Sequence, residues 1–130
     1  MSKTAVHTNM APEPVGPYNQ GIVTHSSKLF FSAGQIGLDP KTNSLVNSDF
    51  KSQAKQALNN LKAIVMEAGL TLEEVVKVTV YLKQMDDFSK FNEIYKSFFN
   101  KTPPTRTVVE VSNLPKNALL EIECIACFAL

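Results

Sequence analysis

The sequence predicts a two-layer α/β domain of the α+β kind, with two helices covering one face of a six-stranded mixed sheet. Three observations predict it. Apolar residues recur at three-and-four spacing over 50–68 and again over 88–99, a run of β-branched residues lies between them, and strand-like segments flank both ends. With 130 residues the chain fits a single domain, 1–130, long enough to bury a real core.

The first third reads as β. Val6, Tyr18 to Thr24 and Leu29 to Ser32 are short strand candidates separated by turn residues. His25-Ser26-Ser27-Lys28 is a hairpin connection between the last two. Gly34 to Pro40 then leaves the strand as a loop, with Asp39-Pro40 as a turn signal, and polar Asn43 to Ser48 leads to the first helix. That helix starts at Phe50 and carries Ala54, Ala57, Leu58, Leu61, Ile64, Val65 and Ala68 on its apolar face. Lys51, Lys55, Asn59 and Lys62 form the wet face. Gly69 ends the helix, because glycine enters the left-handed region at little cost.

Val75 to Leu82 is the strongest strand. Val76, Val78, Val80 and Leu82 share the face expected to receive the helices, while Lys77, Thr79 and Tyr81 share the other. The second helix begins near Asp86-Asp87, whose carboxylates can cap its free amides. Its buried stripe is Phe88, Phe91, Ile94, Tyr95, Phe98 and Phe99, a core pattern rather than a cofactor pocket, and Pro103-Pro104 forbids continuation. Thr105 to Val111 and Leu119 to Phe128 supply two more strands, joined by Asn113 to Asn117. The resulting order β-β-β-α-β-α-β-β leaves one sheet face semi-polar and uncovered, so a homo-oligomer is expected.

Charge and composition exclude several classes. Thirteen basic against twelve acidic residues give a net charge of +1, which offers no electrostatic case for nucleic acid or an anionic membrane. No apolar run approaches the roughly 20 residues of a membrane span. The start, Met1 to His7, lacks the apolar stretch of a secretory signal, so a cytoplasmic protein is expected. Cys124 and Cys127 stand three apart on a predicted strand and therefore face opposite sides, which rules against chelation or a disulfide. His7 and His25 have no ligand-like spacing, and no metal site is expected.

Arg106 is the most informative residue. It follows Pro103-Pro104-Thr105 and precedes Thr107-Val108-Val109, on a strand where a cation is uncommon unless an anion meets it. Two readings are open from the residue alone: an ion pair with Glu121 or Glu123, or a planar fork clamping the carboxylate of a small acid.

Six segments in one order bear on that choice. They are Gly16-Pro17-Tyr18-Asn19-Gln20-Gly21, Ser32-Ala33-Gly34-Gln35-Ile36, Lys77 to Leu82, Asn92-Glu93-Ile94-Tyr95, Pro103-Pro104-Thr105-Arg106, and Leu114-Pro115-Lys116 with Glu121-Ile122-Glu123. The series resembles the RidA/YjgF family of reactive intermediate deaminases and spans nearly the whole chain. The resemblance implies a chorismate-mutase-like fold, a last strand inserted into the sheet rather than hairpinned onto its predecessor, and a homotrimer with ligand clefts between subunits. It also implies an activity: hydrolysis of enamines and imines such as 2-aminoacrylate to a 2-oxo acid and ammonia, without a cofactor.

Carried onto this chain, the resemblance makes Arg106 the clamp for the substrate carboxylate and Glu121 the group that positions and partly deprotonates water. Tyr18 would close the pocket, Asn92 would orient or support the arginine, and Gly34 would admit a close ligand approach. Ala33 and Val108 occupy the remaining pocket positions and depart from the family pattern, where serine and cysteine are usual. The lost hydroxyl at Ala33 removes a hydrogen bond worth roughly 0.5–1.5 kcal/mol, so activity is expected with reduced rate or altered substrate preference. Ser32 does not replace it, since adjacent strand residues point to opposite faces. Plainer readings stand beside these: Tyr18 as a half-buried strand aromatic, Asn92 as a solvent-facing helix residue, Gly34 as a strand-ending turn. The alternative function is a non-catalytic trimer that binds a small carboxylate or 2-oxo acid in a regulatory or chaperone-like role. Glu121 favours the enzyme, because a pure carboxylate receptor gains nothing from a second anion beside its arginine.

Overall fold

The structure, a computed structural model, describes residues 2–129. Six strands and two helices follow in the expected order. They are β1 (Lys3–Val6), β2 (Gly21–Thr24), β3 (Leu29–Phe31), α1 (Phe50–Glu67), β4 (Val75–Leu82), α2 (Phe88–Phe98), β5 (Thr105–Glu110) and β6 (Leu120–Cys127). The fold is mixed α+β, and its strands form two sheets rather than the single six-stranded sheet expected: a β1-β2 pair and a four-stranded sheet of order β3-β6-β4-β5.

The expected β2–β3 hairpin does not form. β2 turns its hydrogen bonds outward to β1, and β3 pairs antiparallel with β6, so His25 to Lys28 joins two ladders instead. β6 lies between β3 and β4, antiparallel to both, and β5 runs parallel to β4 at the edge. The last strand is therefore inserted.

α1 forms as its spacing dictates. Asp49 caps it by accepting the Ser52 amide at 2.9 Å, and Gly69 follows its end at φ 89°. Ala54, Ala57, Leu58, Leu61 and Val65 are fully buried, while Ile64, expected on the same face, sits at the rim with 36% of its surface exposed. Gln53 is buried and ties two loops to the helix. Its amide donates to the Asn47 carbonyl at 2.8 Å and its oxygen accepts the Leu119 amide at 2.9 Å. At Gly37 the preceding loop presses on the helix backbone, where a Cβ would stand 2.7 Å from the Gln53 carbonyl oxygen.

α2 starts where expected, but its first turn is capped differently. Met85–Asp87 is a 3₁₀ turn, and Asp87 makes no side-chain cap bond. The turn already engages two of those amides, Asp87 on the Gln84 carbonyl and Phe88 on the Met85 carbonyl. Phe91, Ile94, Tyr95 and Phe99 then join Val78, Val80, Leu82, Leu120 and Ile122 in one core between helices and sheet. Phe98 is only partly buried. Register places Thr79 beside Glu123 and Tyr81 beside Glu121 on the opposite face. Phe31 shares that face through its pairing with Ile125 and is 65% exposed.

Candidate functional site

Arg106 is the second residue of β5, directly opposite Val78 of β4. Val78 is fully buried against the helices, and paired residues share a sheet face, so Arg106 projects toward the helix layer. Four rings receive its guanidinium. Cζ stands 4.8 Å from the Tyr95 ring centre, 5.6 Å from Phe88, and 5.8 Å from both Phe91 and Tyr18. Aromatic faces attract a cation at such distances without occupying its N–H groups. Burial lowers the Arg106 pKa, and the neighbouring Tyr95 and Tyr18 oppose that shift.

Among the described residues nothing pairs with the fork. Among the described residues no carboxylate approaches it to ion-pair distance, and Nη1 is buried without a hydrogen-bond partner. The ion-pair reading therefore fails for Glu121 and Glu123. Both lie on the other sheet face, and Glu123 instead accepts the Tyr81 hydroxyl at 2.7 Å. That bond raises the Tyr81 pKa.

Tyr18 belongs to a loop, not to a strand as expected, because the chain here is pinned by side chains rather than by a ladder. The Asn19 amide group donates to the Pro103 carbonyl at 2.7 Å, and the Asn19 backbone N–H to Pro104 at 3.3 Å. Gln20 accepts the Thr8 amide at 2.7 Å and donates to the Pro12 carbonyl at 2.7 Å. The Asn19 bonds fix the loop against the segment that leads into β5, and the Gln20 bonds fix it against residues 8–12. Tyr18 thereby reaches Arg106, and Gly16 lies so close that a Cβ there would be 3.2 Å from Nη2.

Asn92 lies on α2 three residues before Tyr95, half-buried, and its Oδ1 is a buried atom without a partner. The Tyr95 hydroxyl is likewise buried and unpartnered, and burial raises its pKa. Val108, two residues beyond Arg106 on the same side, packs on the core.

Glu121 has a different neighbourhood. It stands opposite Tyr81, on the face away from the helices. A Cβ on Gly34 would overlap its carboxylate and stand 2.7 Å from Cδ, so the acid lies flat on the Gly34 backbone. Ala33 and Gly34 are exposed. Ser32 is committed elsewhere: its hydroxyl accepts the Cys124 amide at 2.9 Å and its own N–H donates to the Cys124 carbonyl at 3.0 Å.

The seven expected residues thus form two groups. Arg106, Tyr18, Asn92 and Val108 lie on the helix side; Glu121, Gly34 and Ala33 lie around the open face. The residues that sequence reasoning missed are Phe88, Phe91 and Tyr95 as the walls around Arg106. Their i, i+3, i+7 stripe was read as core only, and the parallel register that faces Arg106 toward it was the absent signal. Among the described residues no group of three histidine, cysteine or acidic side chains is placed to hold a metal. Cys124 and Cys127 are free and buried, and burial pushes the Cys124 thiol up to about 11. Among the described residues no helix is long and apolar enough to cross a membrane.

The sequence and the fold have counterparts in known proteins. The family described as Endoribonuclease L-PSP matches residues 8–128, and the chain belongs to that family, the RidA/YjgF proteins. A RutC family protein of Pyrococcus horikoshii is 51% identical over 124 residues, covering 95% of this chain and 97% of the relative. A 2-iminobutanoate/2-iminopropanoate deaminase of Salmonella typhimurium is 46% identical, covering 97% and 98%. The crystal structure of E. coli TdcF with bound serine superposes with a TM-score of 0.74 at 40% identity, covering 97% of this chain and 99% of that one.

Proposed function

We propose that this protein hydrolyses 2-imino acids, formed from enamines such as 2-aminoacrylate, to 2-oxo acids and ammonia. The observation that carries the proposal is the Arg106 fork, held by four rings and, among the described residues, left without an anionic partner. Such a group is ready for a carboxylate in two-point geometry. The Salmonella relative named as an imine deaminase and the TdcF structure with bound serine support a small amino-acid-derived ligand.

Arg106 and Glu121 occupy opposite faces of one sheet, so one protomer does not present both to a single ligand. The reading therefore includes a homotrimer in which the open face of one subunit, with Glu121, Gly34 and Ala33, meets the Arg106 pocket of the next. The exposed Phe31 and Val109 on that face support a covering partner.

In the chemistry that follows, Arg106 fixes the carboxylate and Asn92 and Tyr18 shape the cleft. The imine C2 is already electrophilic, so water suffices as nucleophile once oriented. Glu121 accepts a proton as water adds to C2 of the protonated imine, giving a neutral carbinolamine. It then returns that proton to nitrogen, the C–N bond breaks as the C2 hydroxyl gives up its proton to Glu121, and ammonia and the 2-oxo acid are released. No cofactor is required.

The family's description names an endoribonuclease. A net charge of +1 and a lone cation among rings favour a small acid over a phosphate backbone. The test couples this protein to a threonine dehydratase that generates 2-iminobutanoate in place, and follows 2-oxo acid release. Accelerated release is expected. Saturable 2-oxo acid binding with no acceleration would leave a carboxylate-binding protein instead.

A further inference from the structure

A groove of about 650 Å³ runs between α1 and α2, and none of the residues that line it is among those around Arg106. Its α1 wall is a cationic stripe. Lys51 and Lys55 stand one helical turn apart, both exposed, and among the described residues neither joins an ion pair. Lys90 enters from α2 and is held only loosely by Asp87 at 3.8 Å. Glu93, the one carboxylate in the lining, is engaged by Lys96 at 3.5 Å. The floor is apolar: Ile94, only 8% exposed, and the partly buried Phe98.

We propose that this groove binds an amphipathic anion, a carboxylate carrying one short apolar chain. Like charges at i, i+4 repel each other, and an anionic head between Lys51, Lys55 and Lys90 relieves that repulsion. Volumes of about 300–1,000 Å³ suit small ligands of this kind. A partner helix is the poorer occupant, because helix-in-groove recognition needs a row of apolar anchors at i, i+3, i+4 and i+7, and this floor offers two side chains.

Decanoate serves as the probe, below its micelle concentration, titrated into the full-length Arg106→Ala protein so that the proposed acid pocket cannot answer. Calorimetry and the Ile94 methyl resonance report binding. Saturable binding with a shift at Ile94 is expected, weakened by about tenfold or more in Lys51→Glu/Lys55→Glu and less so in the milder Lys51→Gln/Lys55→Gln. Decanol and decyltrimethylammonium should bind far more weakly. Circular dichroism checks that both double variants are folded. Absence of saturable binding, equal affinity in both folded double variants, or equal binding of the cationic amphiphile would overturn the site. None of these results bears on imine hydrolysis.

Discussion

Arg106 and Glu121 lie on opposite faces of the same four-stranded sheet: Arg106 is in register with buried Val78, and Glu121 with Tyr81 on the open side. Strand geometry makes this firm, since a one-residue slip would exchange every buried and exposed position of the sheet. On the proposed reading, a ligand that meets both residues lies between two copies.

Mixing experiments test that consequence directly. Arg106→Ala and Glu121→Gln proteins, each strongly impaired alone, should regain turnover after joint refolding. In a cyclic trimer that draws the arginine from one copy and the glutamate from the next, random mixing leaves about a quarter of sites intact. Sedimentation should give three times the 14.3 kDa chain mass. Recovery of no activity, or a monomeric mass, counts against the shared site.

Arg106→Ala should fold normally yet lose 2-oxo acid binding and lower kcat/KM by on the order of 10²-fold, from the loss of two charge-assisted hydrogen bonds. Arg106→Lys should recover only part, since a point charge lacks the planar fork. Binding titration and imine clearance on folded protein decide it, and near-normal clearance by the alanine variant sinks the clamp.

Changes around Glu121 should act on turnover rather than affinity. Glu121→Gln should cut kcat by on the order of 10²-fold while preserving 2-oxo acid affinity. Gly34→Ala should have a similar sense, because its Cβ would displace the carboxylate, whose Cδ is 2.7 Å away. The glutamate side chain can move, so stability should change little. Ala33→Ser should raise turnover by restoring a hydroxyl. Full turnover by Glu121→Gln would remove the water-activation step.

Gly37→Ala should show the reverse pattern. A Cβ there meets helix backbone at Gln53, which cannot swing away. A loss of about 1–3 kcal/mol in denaturant unfolding is expected, with turnover per folded molecule unchanged.

Cys124 should resist thiol reagents in the native state, because burial raises its pKa from 9.0 to about 11. The sign for stability follows from the same shift. A thiol that holds its proton more tightly when folded contributes stability that is complete below pH 9.0 and is lost as pH rises toward 11. Thiol titration at pH 8 with and without denaturant checks the first point, and unfolding of wild type against Cys124→Ala across that range checks the second. Rapid native labelling at Cys124 would contradict its burial.

Much of this was legible in local pattern. The apolar spacing from Ala54 to Val65, the stop at Gly69 and the alternation of Val78 to Leu82 each encode an element through short-range geometry, and each element forms where expected; only at Val76 does a bulge break the expected face, so that Val75 joins the core instead. The first strands were less legible. Tyr18 looked like strand because it adjoins Ile22 and Val23, but Asn19 and Gln20 bind distant carbonyls and hold it in a loop. Asp86-Asp87 read as a cap, while a backbone 3₁₀ turn took that role.

The site divides the same way. The sequence by itself determined that Arg106 sits on a strand without an adjacent acid, that Phe88, Phe91 and Tyr95 share one helix stripe, and that Gly34 and Glu121 occur in separated segments. Only the tertiary structure decided that the stripe surrounds the arginine, that Glu121 rests on Gly34, and that the two groups lie on opposite sides of a sheet. Residues three or four apart on a helix, or two apart on a strand, are neighbours by local geometry. Register between β4, β5 and β6 is a long-range choice, set when β6 inserts between β3 and β4 and the whole core is buried at once.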